Sequence, residues 1–126
     1  MVNPVIRTQF AVSVNGHTSK GTLKRHLAPL TVGALLRAFP FKGNANRLGK
    51  NIIYVKSSIL VGIERARTIF TIGDVAFLPS NGSMCFFTTD IVTDRPMSPI
   101  GNITENMSII SDVKPGDIMS IYSVNL

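Results

Sequence analysis

Residues 5–16 read VIRTQFAVSVNG and contain the clearest strand and turn signal in the chain. Alternate positions from Ile6 to Val14 are apolar or threonine, and most positions between them are polar. This is the period-two pattern of a half-buried strand, which is predicted over Val5–Val14. Asn15-Gly16 predicts a tight hairpin, because both residue types tolerate positive φ. The polar stretch His17–Leu27 would then be the returning strand, near an edge or on an exposed side.

Further strand and turn signals follow along the chain, with one helix among them. The helix is predicted from Thr31 to Phe39, where a threonine hydroxyl can cap the first turn, an apolar stripe repeats at helical spacing, and a proline follows. The other predicted strands are 51–56, around 59–63, 75–78, 84–87, 100–103 and 118–124. Many short strands with one short helix predict a mainly β fold, as a barrel or a sandwich.

The composition is that of a folded protein. The chain has 126 residues, of which 44% are hydrophobic and only 16% are charged, which argues against disorder and fits one core. No apolar run reaches the roughly 18 residues that a membrane helix needs, and residues 1–4 do not begin a signal peptide. We therefore expect one cytoplasmic domain over residues 1–126.

The net charge of +6 is unevenly distributed along the sequence. Residues 1–67 carry +10 and residues 68–126 carry −4. Such an asymmetry can mark a nucleic-acid or membrane surface, or an inert polarised one. The densest basic cluster consists of Lys20, Lys24, Arg25 and His26. Because no aromatic residues are interleaved for base stacking, a solvated strand face is the favoured interpretation and nucleic-acid binding is not expected.

Few residues offer chemistry. Cys85 lies between apolar neighbours, which is typical of a small buried hydrophobe rather than a nucleophile. His17 and His26 have no nearby acid and no metal-ligand spacing, so no metal site is predicted. Asp74 and Asp117 each follow a glycine, and turns explain both. The sequence predicts no catalytic residue, no metal and no cofactor.

Three groups of short stretches carry a resemblance to a known family. They are LLRAFP (35–40) with ANRLG (45–49) and IIY (52–54), GDVAFLP (73–79) with MCFF (84–87), and SPIGNI (98–103). In this order they resemble small prokaryotic cyclophilin-like proteins of unknown function. The resemblance implies a closed β-barrel of about eight strands with one or two short helices, the predicted helix covering one open end. The chain departs from the family pattern by carrying Leu78, Ser80 and Thr88 where tryptophan, a second proline and glycine are common.

Three functions are compatible with these observations. A binding domain, which holds a small molecule or a peptide in a surface cleft without chemistry, is favoured because every catalytic constellation is missing. A prolyl isomerase is supported only by analogy of fold, and the Phe-His-Arg motif and the pocket tryptophan of catalytic cyclophilins are absent from this sequence. The third is a nucleic-acid-binding module that uses the basic N-terminal half. The chain could act as a monomer or a homodimer.

The binding cleft is predicted between the loops 42–49 and 88–99, because both are long, polar and next to family-like stretches. Arg47 would hold a carboxylate or carbonyl there, although it could instead only fix its loop. Either Phe86 or Phe87 would form the floor of the cleft, since neighbouring strand residues point to opposite faces. We expect Arg47 to be exposed, so that its removal costs little stability. The predicted lining residues are Asn46, Arg47, Pro79, Phe86, Phe87 and Met97.

Overall fold

The computed structural model describes residues 7–124, so Val5 and Ile6 of the predicted first strand lie outside the described residues. Within this range the chain forms ten strands and two helices. They are β1 Arg7–Val14, β2 His17–Lys24, α1 Pro29–Ala38, β3 Phe41–Asn44, β4 Asn46–Leu48, β5 Ile52–Lys56, β6 Arg67–Phe70, β7 Asp74–Leu78, β8 Ser83–Phe87, β9 Ile91–Glu105, α2 Met107–Ser111 and β10 Ile118–Ser123. None of the described helices is long and apolar enough to cross a membrane.

The strands form one antiparallel sheet, and that sheet is open. Its order is β3-β10-β1-β2-β9-β7-β8-β5-β4, with β6 paired to β9 off this path. No ladder within residues 7–124 joins the end strands β3 and β4, so the predicted closed barrel of about eight strands is wrong. The reason lies in the connection, because β3 and β4 are separated by Ala45 alone. Two strands that continue each other through one residue have no turn with which to fold back and pair.

The first core lies against the inner face of the sheet. Phe10, Val12 and Val14 of β1 are buried there, as the period-two pattern predicts, and Asn15 and Gly16 form the predicted hairpin turn with positive φ. The helices α1 and α2 close this core with apolar side chains. Its other fully buried members include Leu23, Val32, Leu35, Ile53, Val75, Met84, Phe86, Ile100, Ile110, Met119 and Ile121.

A second, smaller core lies on the outer face of the sheet. The fifteen-residue strand β9 begins in a two-stranded arm with β6 and then continues into the main sheet between β2 and β7. The arm covers outward-facing side chains of β5, β7 and β8, and Phe70 stacks on Phe87 with ring centroids 4.3 Å apart. The core consists of Ile52, Phe70, Ala76, Cys85, Phe87 and Met97. The predicted long loop 88–99 is therefore wrong, since most of it is strand β9.

The N-terminus of α1 is capped from a distant part of the chain. The helix begins at Pro29, so Thr31 lies inside its first turn and does not cap it as predicted. Instead, the Glu64 carboxylate accepts hydrogen bonds from the Thr31 backbone N–H and hydroxyl, each at 2.7 Å, and from the Leu30 N–H at 3.2 Å. The Glu64 N–H donates to the buried Ser98 hydroxyl at 2.8 Å. The predicted strand around 59–63 is thus an irregular segment that ties α1 to β9.

Candidate functional site

An apolar cleft of about 390 Å³ lies between the end of β4 and the first part of β9. We call it the β4–β9 cleft. Its volume is within the range of small-molecule pockets, and most of its wall is aliphatic, as in such pockets. The lining residues are Leu48, Gly49, Ile52, Leu78, Ile91, Val92, Thr93, Asp94, Arg95 and Met97.

The cleft is built where the arm leaves the outer face of the sheet. Ile52 and Met97 belong to the second core and form buried wall, whereas Leu48 and Val92 are 52% and 68% exposed at the rim. The Thr93 hydroxyl contacts two carbonyl oxygens, that of Arg95 at 2.6 Å and that of Thr68 at 3.3 Å. The contact with Thr68 joins the start of β9 to β6, and the contact with Arg95 lies within β9, so the apolar wall is held in place from within the arm.

Two opposite charges lie at the rim. Asp94 and Arg95 both line the cleft and are exposed. A carboxylate next to a guanidinium can receive an ammonium and a carboxylate of one ligand at the same time. The combination of an aliphatic wall and a charged rim suits a molecule with an apolar body and a polar end.

Of the six residues predicted to line the cleft, Met97 is part of its wall. Arg47 lies on β4 beside Leu48 but points to the other face, where its guanidinium donates to the Val113 carbonyl at 2.7 Å and to the Lys50 carbonyl at 3.4 Å. Arg47 is therefore half-buried rather than exposed as expected. It contributes a hydrogen bond between two parts of the chain, and no group of it faces the cleft.

The remaining four predicted residues lie outside the cleft wall. Asn46 donates from its side-chain amide to the Asn44 carbonyl at 3.2 Å, and Pro79 is half-buried after the end of β7. Phe86 belongs to the first core and Phe87 to the second, and both are 0% exposed. Neither phenylalanine forms the floor of the cleft, because Phe86 points into the first core and Phe70 of the β6–β9 arm covers Phe87.

Apart from Met97, the residues that line this cleft are not among those predicted from the sequence. Leu48 lies inside the predicted loop 42–49, and Ile91 to Arg95 lie inside the predicted loop 88–99. The available signal was the β-branched run Ile91-Val92-Thr93, a composition that favours strands. It was masked by Pro96 and Pro99, which are tolerated here because this part of β9 lies at an edge or a register shift.

Groups with intrinsic reactivity lie away from the cleft opening. Burial raises the pKa of the Cys85 thiol to about 12, and the side chain is 2% exposed. At neutral pH this group is a thiol rather than the nucleophilic thiolate. Among residues 7–124, no three His, Cys, Asp or Glu side chains come together as a metal-binding group.

The comparisons with known proteins agree with this architecture. A model of the Cyclophilin-like family matches residues 8–122, and the chain belongs to that family. Among solved structures, it is similar to the hypothetical protein AF2241 from Archaeoglobus fulgidus, with a TM-score of 0.82 and 22% identity over 98% of this chain and 100% of that one. It is also similar to McbB in complex with tryptophan, with a TM-score of 0.73 and 14% identity over 90% of this chain and 44% of that one. No curated protein matches the sequence.

Proposed function

We propose that this protein is a binding domain that holds a small molecule or a short peptide in the β4–β9 cleft and performs no chemistry on it. The observation that carries the proposal is the cleft itself, about 390 Å³ in volume and walled by aliphatic side chains. Exposed aliphatic side chains gathered around one concavity mark binding surfaces, because isolated ones do not form a continuous apolar wall.

The rim defines the chemical class of the ligand. Apolar groups gain free energy by leaving water for the wall formed by Leu48, Ile52 and Met97. Asp94 and Arg95 supply one acceptor and one donor of opposite charge next to that wall. We infer an amphiphilic ligand with an apolar body and a charged or zwitterionic end.

The side chains of the cleft do not make up a catalytic set. Within the described lining, Thr93 is the hydroxyl-bearing residue, and its one hydroxyl proton is donated to the Arg95 carbonyl at 2.6 Å, with the Thr68 carbonyl at 3.3 Å. A nucleophile needs a base within hydrogen-bond reach, and the Asp94–Arg95 pair offers charge without such a partner for Thr93. Binding is the function that these groups support.

The proposal is tested with two fluorescent probes, anilinonaphthalene sulfonate and L-tryptophan. Tryptophan is chosen because the McbB structure holds it and because it joins an apolar ring to a charged pair. The protein has no Trp of its own, so the indole emission reports the probe alone. We expect saturable binding of at least one probe to the native chain.

Leu48→Ser is the diagnostic variant and Ile118→Ser its matched control. The two side chains are 52% and 51% exposed, but only Leu48 lines the cleft. Losing part of an aliphatic contact should weaken probe binding about fivefold to tenfold in Leu48→Ser and leave Ile118→Ser unchanged. Absence of binding by both probes, or equal weakening in the two variants, would show that the cleft is not a binding site.

A further inference from the structure

A second cavity, of about 410 Å³, borders the other side of the β6–β9 arm. It lies where the end of β2 and the turn after it approach the β6–β7 turn. The strands β2 and β7 flank β9 at the same place, since Gly101 pairs with Leu23 on one side and Val75 on the other. Neighbouring strands are about 4.8 Å apart, so groups from β2 and from the β6–β7 region come within reach of one small ligand. We call this the basic cavity.

Three basic side chains line the basic cavity. Lys24 comes from the end of β2, His26 from the turn after it and Arg67 from β6. In the part of the chain that the structure describes, none of the three forms a salt bridge. The single acidic lining residue is Asp74, whose carboxylate accepts hydrogen bonds from the Thr71 N–H at 2.8 Å and hydroxyl at 3.3 Å. The basic groups are therefore available to a ligand while the acid is engaged in a turn.

The guanidinium of Arg67 lies over an aromatic ring. Its guanidinium carbon lies 5.9 Å from the centroid of Phe70, which also lines the cavity. A guanidinium over a ring face is attracted to it and keeps its N–H donors free at the edge. This contact reduces the side-chain freedom that ligand binding would otherwise have to remove.

The glycines of this region have a structural explanation of their own. A Cβ atom at Gly101 would clash with the Thr22 carbonyl oxygen, and Gly73 has a φ of +92° in a turn. The backbone N–H groups of the turn are also engaged, with Ile72 donating to the Asp90 carboxylate at 2.8 Å and Gly73 to the Phe87 carbonyl at 2.9 Å. An anion here would thus be bound by side chains rather than by a backbone nest.

We propose that the basic cavity binds the oxyanion end of a small molecule, a phosphate or a carboxylate, through Arg67, Lys24 and His26. Arg67 supplies paired N–H donors that match an oxyanion, and Lys24 supplies a point charge from the opposite wall. The cavity is larger than an oxyanion, and Leu27, Ile72 and Pro99 offer apolar surface for the remainder of the molecule. The basic cavity is separate from the β4–β9 cleft, so an experiment can contradict one of the two binding proposals and leave the other standing.

The test is a titration of the full chain with inorganic phosphate and, separately, with malonate, followed by backbone amide NMR at constant ionic strength. We expect saturable shifts at Gly73, Gly101 and Asn102, which line the basic cavity. If only phosphate causes these shifts, the ligand carries a phosphate. If only malonate causes them, the ligand carries a carboxylate. If both anions cause them, the cavity is a general oxyanion site. Shifts that are absent from these residues in both titrations would overturn the proposal.

Charge-removing variants assign the effect to the cavity. Arg67→Gln and Lys24→Gln should each weaken anion binding at least about fivefold, because a charge-assisted contact is lost. Arg37→Gln and Lys56→Gln remove exposed basic groups that do not line the cavity and should change nothing. Arg67→Lys keeps the charge and should restore part of the affinity. If the cavity variants bind the anion as tightly as the control variants do, the anion does not bind in the basic cavity. If Arg67→Gln disturbs the Phe70 contact, the affinity of Lys24→Gln alone tests the proposal.

Discussion

At the scale of single residues, Arg47 shows how one strand position determines a role. Leu48, its neighbour on β4, lines the β4–β9 cleft, whereas Arg47 points to the other face and donates to the Val113 carbonyl. Adjacent strand residues face opposite sides of a sheet. A guanidinium that was predicted to bind a ligand therefore holds the segment before β10 against β4.

Arg47→Ala should lower stability and leave ligand binding intact. The variant loses a hydrogen bond of 2.7 Å and leaves the carbonyl of the buried residue Val113 without that donor. We expect a loss of about 1 kcal/mol in the free energy of unfolding, measured by urea denaturation. Arg95→Ala, at the exposed rim of the cleft, should change stability by less than about 0.5 kcal/mol. If Arg47→Ala lost most of its probe binding while its stability stayed unchanged, Arg47 would be a ligand-binding residue and this prediction would be wrong.

At the scale of elements, the cap of α1 depends on Glu64. Burial by itself raises the pKa of this carboxyl, but hydrogen bonds from the Thr31 hydroxyl and from the Thr31 and Leu30 N–H groups, with the nearby Arg65 charge, lower it by more. The folded-state pKa is therefore below the ordinary value. A carboxylate at a helix N-terminus is further favoured by the helix dipole.

The depressed pKa of Glu64 predicts a loss of stability in acid. The ionised carboxylate stabilises the fold at every pH above the unfolded-state pKa, and this contribution disappears as the pH falls through the lower folded-state pKa. Glu64→Gln should cost about 1 kcal/mol at neutral pH and should lose less stability on acidification than the parent chain. Denaturant midpoints measured from about pH 7 to pH 3 check both effects.

Glu105→Gln is the matched control for the α1 cap. Glu105 is exposed at the end of β9, and its side chain makes no hydrogen bond to the described residues. Its replacement should leave both the stability at neutral pH and the acid slope near those of the parent chain. If Glu64→Gln and Glu105→Gln gave the same pH dependence, the Glu64 cap would not contribute to folding.

At the scale of the whole molecule, the sheet order mixes the two oppositely charged halves of the sequence. Strands β1 and β2 lie between β10 and β9, so strands from the basic half are flanked by strands from the acidic half. Nucleic-acid binding depends on a continuous basic surface that meets successive phosphates. The sequence order of the charges does not translate into a basic half of the fold, which weakens this alternative function.

Prolyl isomerase activity is the property that fold analogy would suggest, and we expect none comparable to that of catalytic cyclophilins. The chain lacks the Phe-His-Arg motif and any Trp, and Arg47 is bound to a backbone carbonyl. The cis/trans isomerisation of a proline-containing peptide mixed with the protein should proceed at the uncatalysed rate, over roughly tens to hundreds of seconds. A catalytic cyclophilin in the same assay provides the positive control. Acceleration that disappears in Arg47→Ala or Arg95→Ala would contradict this prediction.

The sequence by itself determined the mainly β class, the family and the β1–β2 hairpin, because period-two patterns, turn dipeptides and short motifs are local signals. It also identified Cys85 as a buried thiol from its apolar neighbours. Only the tertiary structure decided that the sheet stays open, that β6 and β9 cover its outer face, and that Glu64 caps α1. These features depend on contacts between residues far apart in the chain. The same arm buries Phe87 and forms the β4–β9 cleft beside it.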